Sequence, residues 1–277
     1  MLTESNTAAD LTRMDNELKL WLSATRRLPR VRGSGRMAGY IQRFYNRKPR
    51  ARVHVPVLDF TMDLDPSECV DGALLFAPQL YDHREFALLR ELIKPGDVFL
   101  DAGANIGIYS LVASRLVGPA GEVVAIEASA ENYSWLCANC DSSNAKNVRA
   151  LHVGLSDQPE KLRMACSFYG NKSGNSFLKE SPIGEWVECL PLLDVLRANN
   201  VSRIDGAKFD IEGFEFKVLK PFFATAPEEL WPRFVIFEHN ADLVAKSGGD
   251  VRALLQSAGY TIRPVADQNY LADRRAV

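Results

Sequence analysis

The run Val98-Phe-Leu-Asp-Ala-Gly-Ala-Asn-Ile-Gly107 constrains the fold more than any other stretch of this chain. A short apolar segment feeds a glycine turn and then a helical pattern from Ile106, so a buried strand must stop, turn sharply and open a helix. Gly103 permits a positive φ or a close approach of backbone to ligand, and Gly107 lets the helix pack on the strand. Strand and helix patterns alternate from there onward. Strands are predicted near residues 97–102, 122–128, 148–156, 203–210, 233–239 and 260–265. Helices fall between them near 106–116, 131–141, 214–223 and 250–257, and one more precedes the first strand at 81–93. Such alternation builds a mainly parallel sheet with helices on both faces.

Ligands of such sheets sit beyond the carboxyl ends of the strands, and the polar residues of this chain gather there. The first strand ends in Asp101 and Gly103, the second in Glu127, the third in Ser156 and Asp157. The fourth ends in Asp210 and Glu212, the fifth in Glu238 and His239. Packing alone does not ask for five consecutive strands to end in polar groups.

A dinucleotide site would use a similar turn, but its fingerprint is G-x-G-x-x-G with pyrophosphate over the helix start. Asn105 replaces the middle glycine and Asp101 precedes the turn. An acid there repels a phosphate pair and favours a cationic ligand. S-adenosylmethionine, which carries a sulfonium and an ammonium but no phosphate, fits a cradle of Asp101, Gly103, Asn105 and Gly107. Glu127 can take both ribose hydroxyls on its two acceptor oxygens, as a similar acid would in a nicotinamide site. Asp157, with Ser156 beside it, is placed to accept from the adenine amino group; a capped turn is the structural alternative.

The runs D-A-G-A-N-I-G-I-Y-S-L at Asp101, E-A-S at Glu127, G-L-S-D at Gly154 and K-F-D-I-E-G-F-E at Lys208 together resemble the FkbM family of class I methyltransferases. They stand in the family's order and spacing, and the resemblance spans roughly residues 56–277. It implies a Rossmann-like seven-stranded sheet, mostly parallel, with an antiparallel last strand at about 269–274. It also implies transfer of a methyl group from S-adenosylmethionine to a hydroxyl, with sugars and polyketide-type natural products as the family's acceptors.

An alcohol is a poor nucleophile until its proton leaves, so a base within hydrogen-bond reach is expected on the acceptor side. Asp210, Glu212 and His239 are the candidates; imidazole can be neutral near pH 7 and accept a proton, and its alternative role is a polar strand cap. In Lys208-Phe-Asp-Ile-Glu212 the charged residues alternate with apolar ones, which puts Lys208, Asp210 and Glu212 on one strand face. A lysine on a central strand needs a partner, and Glu238 on the adjacent strand is the expected one. Lys208 and Glu238 would orient the site while Asp210 and Glu212 approach the substrate. The same acids and histidine could instead hold a divalent cation. The polar, glycine-rich stretch 167–185 could fold over the acceptor, with Asn175 or Ser176 bonding a polyol, or be a surface hairpin tip.

The net charge of -2 conceals an asymmetry. Between Glu17 and Asp59 stand eleven Lys or Arg and no acid. Leu11, Met14, Leu18 and Leu22, then Met37, Ile41 and Phe44, keep helical spacing around Gly33-Ser34-Gly35. Residues 1–52 thus read as a basic helical extension before a methyltransferase domain at 53–277, where 54–65 alternates as one or two exposed strands. The extension could attract nucleic acid or an anionic glycan, mediate a homo-oligomer, or simply pack on the body. A nucleic-acid methyltransferase and a non-catalytic cofactor-binding scaffold are the competing functions; the Asn/Asp-Pro-Pro-aromatic motif for base amino groups is missing after the fourth strand. No apolar run approaches a membrane span and no secretory signal opens the chain, so a cytoplasmic location is expected. The five cysteines read as reduced thiols, Cys137 and Cys140 as small side chains one helical turn apart.

Overall fold

The structure, a computed structural model, describes residues 16–29, 34–45, 52–165, 177, 184–239, 248–266 and 268–274. They form two compact units that divide between residues 83 and 84, beyond the boundary expected at 52/53.

The first unit contains α1 (Asn16–Thr25), α2 (Ser34–Tyr45), the antiparallel hairpin β1 (Val53–Val57) and β2 (Phe60–Leu64), and α3 (Cys69–Phe76). The hairpin is not the exposed ribbon expected. Val55, Val57, Met62 and Leu64 are fully buried, as are Leu74 and Leu75 of α3. That helix was not legible in the sequence, because its short apolar run carries Gly72 and shows no polar face. It packs against α1, α2, β1 and β2, which is why the hairpin belongs with the helices. Two side chains of the basic run are committed inside this unit. Arg26 donates to the carbonyls of Leu75 (3.0 Å) and Pro56 (2.7 Å). Arg52 donates to the carbonyl of Asp63 (2.8 Å) and pairs with Asp71 at 3.0 Å.

The second unit opens at Arg84 within α4 (His83–Leu92) and continues β3 (Val98–Ala102), α5 (Ile108–Val117), β4 (Glu122–Glu127), α6 (Ala130–Ser142) and β5 (Val148–His152). There follow β6 (Gly154–Ser156), β7 (Glu160–Ala165), β8 (Gly184–Pro191), α7 (Leu192–Ala198), β9 (Gly206–Phe209), α8 (Glu215–Thr225) and β10 (Phe234–Glu238). The helix α9 (Val251–Ser257) and strands β11 (Thr261–Ala266) and β12 (Asn269–Asp273) complete it. Seven strands make one sheet in the order β11-β12-β10-β9-β3-β4-β5, parallel except for β12, which runs antiparallel to both neighbours. This is the expected mostly parallel α/β sheet with its last strand reversed.

Central strands β3, β4, β9 and β10 are apolar and buried almost throughout, as a parallel sheet covered by helices requires. Leu100, Ala102, Val124, Ile126, Ala207, Phe209, Val235 and Phe237 join Val218, Leu219 and Phe222 of α8 in one core. Cys137 and Cys140 both lie on α6 as free thiols.

Two predicted strands end early. The single strand expected at 148–156 breaks at Val153. Its first part is the edge strand β5; its second, β6, pairs with β8 in a separate three-stranded sheet ordered β6-β8-β7. At the junction Gly154 lies so close to the Cys189 thiol and Val187 of β8 that a side chain there would collide with them. The strand expected to reach Asp210 stops at Phe209. Asp210 and Glu212 therefore lie in a turn, not on a strand face. Among the described residues no helix is long and apolar enough to cross a membrane.

Candidate functional site

Residues 102–107 form the predicted turn in three left-handed steps, Gly103 (φ 83°), Asn105 (φ 51°) and Gly107 (φ 95°). The amides of Gly103 and Ala104 both donate to the carbonyl of Ile126 at 2.9 Å. Asn105 is held in a conformation that asparagine tolerates better than most side chains, with its amide on Glu127 Oε2 at 2.8 Å. The amide of Ser129 donates to Glu127 Oε1 at 2.9 Å. One buried carboxylate thus ties the ends of β3 and β4 together. Burial pushes its pKa up to about 7, against the two amides that favour its charge.

Asp101, at the end of β3, is fully buried. Its Oδ2 accepts from the Ser110 hydroxyl at 2.6 Å. Its Oδ1 is buried without a hydrogen-bond partner. Burial raises its pKa, opposed by the charge of Lys208 and by Ser110. Lys208 is itself buried; its ammonium pairs with Asp210 Oδ2 at 2.7 Å and sits 4.3 Å above the ring centre of Tyr109. The partner expected for Lys208 was Glu238, but the ion pair is made to Asp210, two residues along the same chain. Glu238 stays in the same electrostatic cluster: burial and Asp210 raise its pKa, and Lys208 lowers it.

The turn after β9 carries Glu212 at φ 54° and Gly213 at φ 97°. Its first amide, Asp210, donates to the Ala102 carbonyl at 3.0 Å. His239 lies one residue past β10, with its amide on the Gln268 carbonyl at 2.8 Å. Its Nδ1 stands 3.7 Å from Asp250 Oδ1, and its ring packs edge-on to Tyr270. Burial lowers its pKa, Arg252 lowers it further and Asp250 opposes both.

Nine of the predicted residues therefore gather at the ends of β3, β4, β9 and β10: Asp101, Gly103, Asn105, Gly107, Glu127, Lys208, Asp210, Glu212 and Glu238. His239 joins them at the end of β10. Ser156 and Asp157 lie instead at the end of β6 in the small sheet. Ser156 donates to Glu160, while Lys217 of α8 pairs with Glu160 at 2.8 Å and with Asp157 at 3.4 Å. Asn175 and Ser176, with the proposed lid, lie outside the described residues. Among the described residues no group of three or more His, Cys, Asp or Glu is arranged to hold a metal ion.

The sequence reading missed Ser110, Tyr109, Asp250 and Glu215. Glu215, buried in the first turn of α8, accepts the Ile211 amide at 2.8 Å, and burial pushes its pKa up to about 7. It stands inside the K-F-D-I-E-G-F-E run, where an acid opening a helix looks like an ordinary dipole partner.

The methyltransferase FkbM domain matches residues 101–262, more than half of the chain. Methyltransferase sdnD of Sordaria araneosa is 30% identical over 204 residues, covering 61% of this chain and 75% of that one. The 31-O-demethyl-FK506 methyltransferase FkbM of Streptomyces tacrolimicus is 30% identical over 211 residues, covering 65% and 77%. Among solved structures, the precorrin-6y C5,15-methyltransferase of Geobacter metallireducens GS-15 matches at a TM-score of 0.42 and 13% identity, covering 71% of this chain and 86% of that one.

Proposed function

The chain belongs to the FkbM domain family of methyltransferases, and from that premise we propose that it moves a methyl group from S-adenosylmethionine to a hydroxyl of a polyketide-type natural product or a sugar. The reading is carried by the buried Oδ1 of Asp101, which has no hydrogen-bond partner. A buried carboxylate oxygen left bare costs free energy that a cationic ligand group would recover. The ammonium of S-adenosylmethionine is such a group. Glu127 fits the ribose: its oxygens accept the amides of Asn105 and Ser129 and the side chain of Asn132, and the acceptor site that remains can take a hydroxyl.

When bound, S-adenosylmethionine supplies a methyl group made electrophilic by its sulfonium. The turn at Gly103, Asn105 and Gly107 would cradle it, and Ser156 and Asp157 at the end of β6 would take its adenine end, with Lys217 holding Asp157. On the acceptor side Asp210, whose side chain is 41% exposed, orients the hydroxyl together with Glu212. Lys208 fixes Asp210, and Glu238 completes the cluster around that lysine. His239 receives the hydroxyl proton on its imidazole. Its lowered pKa keeps it neutral at pH 7, and Asp250 faces its Nδ1.

Calorimetry with S-adenosylhomocysteine tests the cofactor half: wild type binds and Glu127→Ala loses at least tenfold. Absence of binding, or affinity indifferent to Glu127→Ala, overturns it. Labelled methyl donor, offered with a panel of monosaccharides and hydroxylated macrolides that includes 31-O-demethyl-FK506, tests the acceptor half. Label appearing on nitrogen or carbon rather than oxygen would end the hydroxyl assignment.

A further inference from the structure

The acceptor-side turn is held from two directions. On one side the Asp210 amide bonds the Ala102 carbonyl, and the Asp210 carbonyl packs against Gly103. On the other stands Glu215, 4% exposed, with Oε1 on the Ile211 amide at 2.8 Å. The amides of Gly213 and of Glu215 itself also face this carboxylate. Between the two anchors the chain makes consecutive left-handed steps at Glu212 and Gly213. Glutamate rarely adopts that conformation, and such a residue persists only when its surroundings over-determine it. A buried carboxylate that gathers main-chain amides supplies that constraint.

We propose that Glu215 is a positioning residue: without touching the acceptor, its carboxylate fixes the main chain of residues 211–213 and so sets where Asp210 and Glu212 point. This rests on the reading of that turn as the acceptor side. Glutamine offers one acceptor oxygen in place of two and turns an amide toward the same N–H groups, so it cannot reproduce the clamp.

The spectroscopic signature is readable in the wild type. The Ile211 and Gly213 amide resonances should follow one titration with a midpoint near 7, lost in Glu215→Gln and retained in Asp210→Asn. Hydrogen exchange at residues 211–213 should rise at least tenfold in Glu215→Gln and Glu215→Ala, with β9 exchange unchanged. Affinity for S-adenosylhomocysteine should move less than twofold. With the sugar and macrolide panel, Glu215→Gln should lower kcat at least tenfold while the cofactor KM moves less than twofold. Exchange at residues 211–213 that stays at the wild-type rate in Glu215→Gln and Glu215→Ala, or deprotection that spreads evenly through β9 and α8, would overturn the proposal. Failure of the wild type to bind S-adenosylhomocysteine would sink the cofactor reading yet leave the amide signals in place, so the two failures are distinguishable.

Discussion

A Cβ at Gly103 would overlap the main-chain oxygen of Asp210. The turn proposed to cradle the cofactor and the turn proposed to face the acceptor are thus in direct main-chain contact. Gly103 also sits at φ 83°, so alanine there brings both a clash with a backbone atom that cannot swing aside and a strained backbone. Gly103→Ala should destabilise the second unit by about 3 kcal/mol and lower S-adenosylhomocysteine affinity at least tenfold. Urea unfolding with calorimetry checks this; near-wild-type values in both would mean the two turns can separate freely.

The pKa of Glu127 makes cofactor affinity pH-dependent. A ribose diol donates to the carboxylate, so the ligand binds the deprotonated form. Below about 7 the affinity should fall, approaching tenfold per pH unit, and level off above it. Glu127→Gln should bind weakly with no such slope. Calorimetry with S-adenosylhomocysteine between pH 5.5 and 8.5 decides; a wild-type profile as flat as the variant's would remove the carboxylate from the ribose.

The same raised pKa acts on stability in the opposite direction. The native state holds the proton more tightly than the unfolded chain does, so the contribution is full below 4.5 and is lost as pH rises to about 7. Glu127 and Glu215 each carry this sign, and each penalty above pH 7 is about 3 kcal/mol. Unliganded wild type should therefore lose more stability between pH 5 and pH 8 than Glu127→Gln or Glu215→Gln. Equal losses in chemical unfolding would show that these carboxylates are not buried as described.

What the sequence told in advance, and what it withheld, divides along the range of the interactions involved. The D-A-G-A-N-I-G turn and the Glu127 strand end are local: each lies within a few residues of a buried strand, and the left-handed steps fall on Gly and Asn, residues that adopt them readily. Non-local contacts were hidden. Nothing in Val148–Ser156 announces that Gly154 must meet Cys189, so one strand was read where the chain changes sheets. Apolar-polar alternation at Lys208–Glu212 suggested a continuing strand, but the Asp210–Ala102 bond is the last rung between β9 and β3, and beyond it the Ile211–Glu215 bond and the left-handed steps at Glu212 and Gly213 take the chain out of the sheet. In the N-terminal unit the hairpin looked exposed because its cover, α3, has no periodic signature.

Lys208 is the one cation set between Asp101 and Asp210 among the described residues, and its removal should be felt on both sides. Lys208→Met leaves the buried Asp101 without its opposing charge, which raises that carboxyl further and favours its neutral form. A neutral Asp101 attracts an ammonium poorly. S-adenosylhomocysteine affinity should fall at least tenfold, and the loss should be smaller for Asp210→Asn, whose side chain is partly in solvent. Measuring both single variants and the double variant gives their coupling; a Lys208→Met affinity equal to wild type would show that Asp101 does not depend on the lysine.

His239 offers the sharpest separation between a base and a strand cap. If it takes the proton, turnover rises with pH through its pKa, which burial and Arg252 hold below 6.5. Asp250 pulls that pKa up and Arg252 pushes it down, so the two neighbours should move the acid limb of the rate profile in opposite directions. Asp250→Asn, which keeps an oxygen to cap α9, should shift the limb to lower pH; Arg252→Ala should shift it to higher pH. A cap held only by the Gln268 carbonyl and Tyr270 predicts neither movement. Profiles of kcat for the three proteins that superimpose, or a His239→Asn variant with full turnover, would return the proton to Asp210 or Glu212.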